Sequence, residues 1–141
     1  MTVASADESA ARDLVARIAH AMDTGPLEEL LALMHPEVTM SFAANPAAGV
    51  TESTIPGRDA VSTWVASRRD AGAQGPGSGT RHFVANQLVS ALGDGRIRSL
   101  AYFAYLAPGA AGVTIRAMGS YDDELERGDG GWLLRARTVR P

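Results

Sequence analysis

The sequence contains no cysteine and no lysine, and only three of its residues are histidine. Without cysteine there is no disulfide, no thiolate nucleophile and no cysteine metal site. Without lysine there is no Schiff-base nucleophile and no P-loop lysine for a nucleotide phosphate. The 13 cationic residues are therefore all arginine. If a histidine performs general acid–base chemistry in this chain, it is His20, His35 or His82.

Length and charge narrow the class of protein. A chain of 141 residues with 45% hydrophobic and 21% charged residues is typical of one globular domain. Its net charge of −3 does not favour nucleic-acid binding, and no apolar run approaches the roughly 20 residues that span a bilayer. We expect one domain over 1–141 with a flexible tail at 1–6, in the cytoplasm, with neither a nucleic-acid nor a membrane partner.

Helical periodicity dominates the first half of the chain. Apolar spacing predicts a first helix over about 7–22, with Ser5 and Glu8 as a capping box. A short second helix follows from Pro26 to Met34, and a third begins after Gly57. The intervening residues predict a strand at 37–42 and a loop at 45–56. The glycine-rich segment 72–79 is typical of a flexible connection.

From Arg81 onward the period changes to two. Four strands are predicted at about 81–92, 96–107, 113–126 and 132–139, joined by the short turns of an antiparallel meander. Long twisted strands make a sheet curl, and helices that close one side leave a hollow interior. The sequence therefore predicts a cone-shaped α+β barrel, in which a curved, mostly antiparallel sheet and three N-terminal-half helices enclose a pocket.

The best candidates for chemistry are His82, Asp23 and Tyr121. His82 opens the first meander strand and, by alternation, shares a face with Asn86, although a hydrogen-bonded core or rim histidine explains the pattern as well. Asp23 lies where the first helix breaks, where Asp-Thr-Gly is also ordinary turn chemistry. Tyr121 lies on a face of small and apolar residues, which makes it a candidate pocket hydroxyl.

Other residues are candidates for contact with a substrate. Tyr102 and Tyr105 lie on opposite faces of one strand, so at most one points inward, and we assign Tyr102 together with Asn86. Further apolar contacts are assigned to Phe42, Trp64 and Met118, although Trp64 also suits a core position. The three histidines lack the spacing of a metal site, so no metal and no cofactor is predicted.

Three stretches of the chain resemble the SnoaL-like, nuclear-transport-factor-2-like superfamily. Its opening is matched by Ile18-Ala19-His20-Ala21-Met22-Asp23, a short helix, and then His35-Pro36-Glu37-Val38. Arg81-His82-Phe83-Val84-Ala85-Asn86 resembles a strand of the scytalone-dehydratase-like branch. The close is matched by Gly119-Ser120-Tyr121-Asp122-Asp123, then Asp129-Gly130-Gly131-Trp132, and Arg137.

This resemblance covers about residues 8–140 and implies a cone fold that often forms homodimers. Members include polyketide cyclases, dehydratases, ketosteroid isomerases, epoxide hydrolases, dioxygenase small subunits and non-enzymatic transport factors. In the dehydratase branch an aspartate at the helix break orients a histidine that moves protons next to a carbonyl. The resemblance implies these roles for Asp23 and His82, a polar pocket role for Tyr121, and a hydrogen bond from Asn86.

The chain departs from the dehydratases in one respect, because no histidine follows His82 and a tyrosine stands on the strand of their second pocket histidine. We therefore expect a cofactor-independent enzyme of polyketide-type secondary metabolism. It would dehydrate, isomerise or cyclise a small apolar hydroxy- or oxo-substrate by acid–base catalysis. Two alternatives remain: a non-catalytic ligand-binding or assembly module of the same fold, and a ketosteroid-isomerase-like or epoxide-hydrolase-like enzyme.

Overall fold

The first half of the chain supplies the helices and the second half supplies the long strands. Residues 2–141, which the computed structural model describes, form three α-helices and six β-strands. In chain order these are α1 (Ser5–Thr24), α2 (Leu27–Ala32), β1 (Met34–Phe42), β2 (Ser53–Pro56), α3 (Arg58–Asp70), β3 (Arg81–Gly93), β4 (Arg96–Gly109), β5 (Gly112–Gly128) and β6 (Gly131–Arg140). A short 3-10 turn at Pro46–Ala48 lies between β1 and β2. The predicted α+β class is confirmed.

All six strands form one sheet in the order β2-β1-β6-β5-β4-β3. β1 runs parallel to β6, and every other neighbouring pair is antiparallel. The β3–β4 turn is tight because Asp94 and Gly95 both have positive φ angles, which suits the twist of a hairpin. The helices pack on one face of this sheet, and the predicted cone with a curved, mostly antiparallel sheet is confirmed.

The core lies between α1, the short helices and the concave face of the sheet. Fully buried apolar side chains join the layers: Ala11 and Ile18 from α1, Leu30 from α2, Val38 from β1, Val61 from α3, Leu125 from β5 and Leu134 from β6. The spacing of the α1 residues matches its predicted apolar face. None of the helices in the described part of the chain is long and apolar enough to cross a membrane.

Several predicted boundaries are wrong. Helix α1 already includes Ser5 and Ala6, which were assigned to a tail, and Ala4 precedes the helix without any side-chain cap. Met1, the start of that tail, lies outside the described residues. Helix α2 ends at Ala32 because Met34 already pairs with β6. The predicted loop at 45–56 ends in the edge strand β2, which is too short for alternation to reveal it.

Register shifts interrupt the pairing of the long strands at two points on β3 and at one point each on β5 and β6. On β3, Ala85 pairs with Tyr102 while Leu88 pairs with Leu100, so this strand carries one extra residue. Asn86 there has a φ of 53°, as expected of a bulge. Another extra residue interrupts β5 between Ile115 and Ala117. Each bulge exchanges the two faces of its strand, and strict alternation cannot predict that exchange.

Candidate functional site

A cavity of about 490 Å³ lies between the concave face of the sheet and helices α1 and α3. Its wall is mostly apolar, with large side chains from Met22, Met40, Phe42, Trp64, Phe103 and Met118. A few polar groups interrupt this wall, among them Gln74, His82, Tyr105, Tyr121 and Arg137. An apolar enclosure with a few convergent polar groups is typical of a small-molecule site.

His82 lines this cavity, and Asp23 forms a close pair with it from behind the wall. The Nδ1 atom of His82 lies 2.6 Å from Oδ1 of Asp23, and the backbone N–H of His82 donates to Oδ2 at 2.9 Å. Their side chains are only 7% and 11% exposed, for Asp23 and His82 respectively. Both carboxylate oxygens are therefore engaged by one residue, which fixes the position and the ring orientation of the imidazole.

This pairing also selects the tautomer of His82. A carboxylate accepts hydrogen bonds, so the proton between the two side chains belongs on Nδ1. The other ring nitrogen, Nε2, then carries a lone pair and can take a proton from a bound molecule. The carboxylate further stabilises the imidazolium that results. The arrangement is chemically suited to general acid–base work, in which the protonated ring later returns its proton.

The end of α1 that carries Asp23 is held by α3. The guanidinium of Arg69 donates to the backbone oxygens of Ala21 at 3.0 Å and Gly25 at 2.8 Å. These carbonyls lie at the C-terminus of the helix, where a cation is favourable and the last oxygens lack partners within the helix. Asp23, between the two anchored carbonyls, therefore projects from a fixed turn.

Tyr105, and not Tyr102, faces the cavity. The ring of Tyr105 stacks on His82 with centroids 4.9 Å apart, and its hydroxyl donates to the backbone oxygen of Ala73. Tyr102 is 60% exposed on the opposite face of the sheet, so its assignment to substrate contact is wrong. The physical reason is register, because Tyr105 is the cross-strand partner of His82 whereas Tyr102 pairs with Ala85.

Tyr121 lies in the cavity wall between a cation and an aromatic ring. The guanidinium carbon of Arg137 is 3.8 Å from the centre of its ring, and Phe103 stacks on it at 4.3 Å. Burial raises the pKa of Tyr121 to about 12, although Arg137 acts in the opposite direction. The phenol therefore remains a neutral O–H donor at physiological pH.

Arg137 is itself locked by a buried carboxylate. Its Nε and Nη2 atoms donate to the two oxygens of Asp123, both at 2.7 Å, and the two side chains are 2% and 1% exposed. Burial acts to lower the pKa of Arg137, but the Asp123 carboxylate outweighs it and the pKa lies above its ordinary value. The pair therefore holds the permanently charged guanidinium of Arg137 beneath the ring of Tyr121.

The strand that carries Tyr121 approaches β6 very closely at Gly119. A side-chain carbon at Gly119 would lie 2.0 Å from the backbone oxygen of Arg140 and 3.2 Å from the ring of Phe103. Any other residue would push β5 away from β6 or displace Phe103. Glycine at this position therefore keeps the wall formed by Phe103 and Tyr121 in place.

The remaining predicted contacts divide into two groups. Phe42 and Trp64 line the cavity with ring centroids 5.3 Å apart, and Met118 lines it at the exposed rim, with 72% of its surface accessible. Asn86 does not line the cavity, so its assignment is wrong. The bulge turns Asn86 to an exposed position and brings Gln87 to the inner side of β3.

Sequence reasoning missed Gln74 and chose Tyr102 in place of Tyr105. Gln74 stands in a glycine-rich segment that carries no periodic signal, so nothing in the sequence placed it in the wall. For Tyr105 a signal existed in the tight turn, which pairs Gly93 with Arg96. Extending that register places His82 opposite Ala107, on the same face as Tyr105. Among residues 2–141, no three His, Asp or Glu side chains come together to hold a metal ion.

Comparison with known proteins gives one family match and many similar folds. Residues 3–138 match the SnoaL-like domain. A Nostoc punctiforme protein of unknown function with a cystatin-like fold has a TM-score of 0.78 at 16% identity, covering 99% of this chain and 94% of that one. The Aln2 protein of a Streptomyces species has a TM-score of 0.77 at 18% identity, covering 99% and 94%.

A third similar structure holds a bound compound. It is a Catenulispora acidiphila protein in complex with S-DNPA, with a TM-score of 0.75 at 23% identity, covering 97% of this chain and 94% of that one. No curated protein matches the chain in sequence. At these identities the solved structures establish the fold alone.

Proposed function

Because the chain belongs to the SnoaL-like domain family, we propose that it is a cofactor-independent enzyme of polyketide-type secondary metabolism. It would dehydrate, isomerise or cyclise a small, largely apolar hydroxy- or oxo-compound inside its cavity. The observation that carries this proposal is the Asp23–His82 hydrogen bond of 2.6 Å at the wall of an apolar cavity. The family itself includes both enzymes and non-catalytic proteins, so the proposal rests on the site.

The proposed reaction begins with removal of a proton from the carbon next to a carbonyl group. His82 Nε2 takes the proton, and the electron pair of the broken C–H bond moves onto the carbonyl oxygen as an enolate. The Asp23 carboxylate stabilises the imidazolium, and the neutral hydroxyl of Tyr121 donates to the enolate oxygen. In a dehydration the enolate expels hydroxide, which takes the proton of the imidazolium and leaves as water. In an isomerisation the imidazolium protonates the extended enolate at a different carbon. In a cyclisation the enolate carbon attacks a second carbonyl, whose oxygen takes that proton.

Two further observations support a small-molecule substrate. The S-DNPA complex of the Catenulispora acidiphila protein is a precedent for a ligand on a similar fold. The apolar side chains Met22, Met40 and Phe103 in the wall favour a hydrophobic molecule. An isomerase or hydrolase with a second catalytic carboxylate is less favoured, since none of the described Asp or Glu side chains lines the cavity.

The proposal is tested by mass spectrometry on a small-molecule extract of the producing cells. The extract is incubated with wild type, Asp23→Asn or His82→Ala protein, and we expect only the wild type to consume a metabolite. A product lighter by the mass of a water molecule would identify dehydration, and an unchanged mass with new retention would identify isomerisation or cyclisation. Equal conversion by all three proteins would show that the pair is dispensable. A compound that co-purifies without conversion would favour a binding module.

The convex face of the sheet supports a homodimer. Leu88, Phe83 and Tyr102 on adjacent strands β3 and β4 are 68%, 61% and 60% exposed. Large apolar side chains grouped on one face mark an interaction surface more often than a solvated one, and a second copy is the commonest partner of a small domain. We propose that this face pairs with itself. Sedimentation of wild type and Leu88→Glu protein tests this, because only the wild type should sediment as a dimer.

A further inference from the structure

The permanent charges that line the cavity are all of one sign. Three arginines line it, Arg68, Arg137 and Arg140, whereas no Asp or Glu in the described part of the chain does. In the whole sequence, acidic residues outnumber arginines by 16 to 13, so the wall differs from the average composition of the chain. A cleft lined by charges of one sign attracts ions of the opposite sign. The cavity is therefore suited to a ligand that carries a negative charge.

Two of these three arginines already have a carboxylate partner. Arg137 donates two hydrogen bonds of 2.7 Å to Asp123, and Nη2 of Arg140 lies 3.8 Å from a carboxylate oxygen of Asp122. In the described part of the chain, no carboxylate comes within ion-pair distance of Arg68. Arg68 is also exposed, so it lies at the solvent end of the cavity. Its guanidinium is therefore available to an anionic group that enters from solvent.

Helix α3 places Arg68 beside the aromatic part of the wall. Trp64 lies one turn earlier on the same side of the helix, it lines the cavity, and its ring centre is 5.3 Å from that of Phe42. Arg68 stands in the last turn of α3, where a cation is favourable for the helix even without a carboxylate. An apolar molecule that rests on the two aromatic rings would therefore bring a group at its outer end close to Arg68.

We infer that Arg68 is a specificity-determining residue that binds a carboxylate group of the substrate at the mouth of the cavity. A guanidinium presents N–H groups in a plane that matches the two oxygens of a carboxylate. The substrate class is then narrowed to apolar hydroxy- or oxo-acids. Their carboxylate stays at the solvent end, while the carbon next to the carbonyl reaches His82. This assignment rests on the proposed function only in taking the cavity as the substrate site.

Calorimetric titration with β-naphthoate and β-naphthamide tests the role of Arg68 without a turnover assay. The two probes share one apolar body and differ in the charge of a single end group. Arg68→Gln should weaken the binding of β-naphthoate about tenfold, because a charge-assisted pair is lost, and that of β-naphthamide by less than about twofold. Arg68→Lys keeps the charge and should retain most of the affinity for β-naphthoate. Higher ionic strength should weaken the binding of β-naphthoate alone.

A matched control is Arg17→Gln, which removes the same charge from an exposed arginine of α1 outside the cavity. It should leave both affinities unchanged. The inference is overturned if Arg68→Gln binds β-naphthoate as tightly as wild type, if it weakens both probes equally, or if wild type does not bind β-naphthoate. His82→Ala separates the two proposals: if it leaves turnover intact while Arg68→Gln loses affinity for β-naphthoate, the proposed mechanism fails and the inference stands.

Discussion

Two buried carboxylates behind the cavity wall make contacts of nearly the same length and have very different consequences. Asp23 lies 2.6 Å from an imidazole nitrogen, and Asp123 lies 2.7 Å from each of two guanidinium nitrogens. The first pair can pass a proton to and from a bound molecule, because a neutral imidazole accepts a proton at Nε2 and the imidazolium returns it. The second pair cannot, because arginine stays charged at any physiological pH.

This difference indicates a catalytic role for the Asp23–His82 pair and a structural role for the Asp123–Arg137 pair. A proton on His82 can pass to and from a ligand while Asp23 compensates the charge, which makes this pair suited to catalysis. The Asp123–Arg137 pair is almost fully buried, and it offers a constant charge beneath the ring of Tyr121. Removal of one partner should therefore affect turnover at the first pair and folding stability at the second.

The largest expected effect is on turnover at the histidine pair. His82→Ala and Asp23→Asn should each lower kcat by about 10²–10⁴-fold on the metabolite that the extract assay identifies, since both remove the oriented base. The matched control is His20→Ala, because His20 is an exposed histidine of α1, and its kcat should equal that of wild type. If His82→Ala has the kcat of wild type, the Asp23–His82 pair is no more catalytic than the Asp123–Arg137 pair.

The arginine pair should respond in stability. Asp123→Leu alone leaves the Arg137 charge buried and unpaired, so the free energy of unfolding should fall by about 3–5 kcal/mol. The double variant Asp123→Leu/Arg137→Met removes both charges and should recover most of that loss. Urea unfolding measures all three proteins. A double variant as unstable as the single one would show that the ion pair itself, and not the orphaned charge, determines stability.

The kcat of a Tyr121 variant tests whether Tyr121, which lies over Arg137, acts on the same bound molecule as His82. Tyr121→Phe keeps the stacking on Phe103 and the contact with Arg137 but removes the O–H donor, so kcat should fall by about 10²-fold. Because the pKa of Tyr121 is about 12, the phenol stays protonated from about pH 6 to about pH 9. The ratio of the two kcat values should therefore be constant across that range. A ratio that changes with pH would assign the proton transfer to Tyr121 instead.

The smallest expected effect concerns a second carboxylate–arginine pair, which lies at the surface. Asp122 accepts two hydrogen bonds from Arg98 at 2.7 and 2.8 Å, and the Arg98 side chain is 45% exposed. The hydrogen bonds from Arg98 lower the pKa of Asp122 below its ordinary value of 3.8. Its stabilisation is complete above that value and is lost as the pH falls through the lowered pKa.

Asp122→Asn should therefore cost at most about 1 kcal/mol of unfolding free energy at neutral pH. The difference between the variant and the wild type should shrink as the pH is lowered from neutral into the acid range, as unfolding measured across that range would show. A loss at neutral pH as large as that of Asp123→Leu would mean that burial does not distinguish the two arginine pairs.

Most of the fold could be predicted because long periodic segments carry it. Ile18 and Leu30 follow helical spacing, and the meander strands alternate around short glycine turns. The edge strand β2 could not be predicted, since four residues give too little alternation. The bulge at Asn86 could not be predicted either, because alternation assumes an uninterrupted period of two. An extra residue changes the face that every later side chain of the strand occupies.

The candidate site was predictable where it depended on helix ends and strand starts. Asp23 and His82 are candidates at such places, the family resemblance implies that they pair, and the structure brings them into contact. The assignment of Asn86 failed because the bulge turns it out of the cavity, and that of Tyr102 failed because the register of β3 and β4 places Tyr105, and not Tyr102, beside His82. Gln74 depends on a glycine-rich turn whose path is set by tertiary hydrogen bonds such as Gly75 to Met22, which no local pattern encodes.

The most direct test of the central claim, that the Asp23–His82 pair moves a proton at a carbon next to a carbonyl, is deuterium exchange. The substrate or product from the extract assay is incubated in D₂O with wild type, His82→Ala or His20→Ala protein, and its mass is followed over time. We predict that wild type and His20→Ala introduce deuterium at that carbon, while His82→Ala does so at least about 10²-fold more slowly. Exchange by His82→Ala at the wild-type rate would contradict the claim.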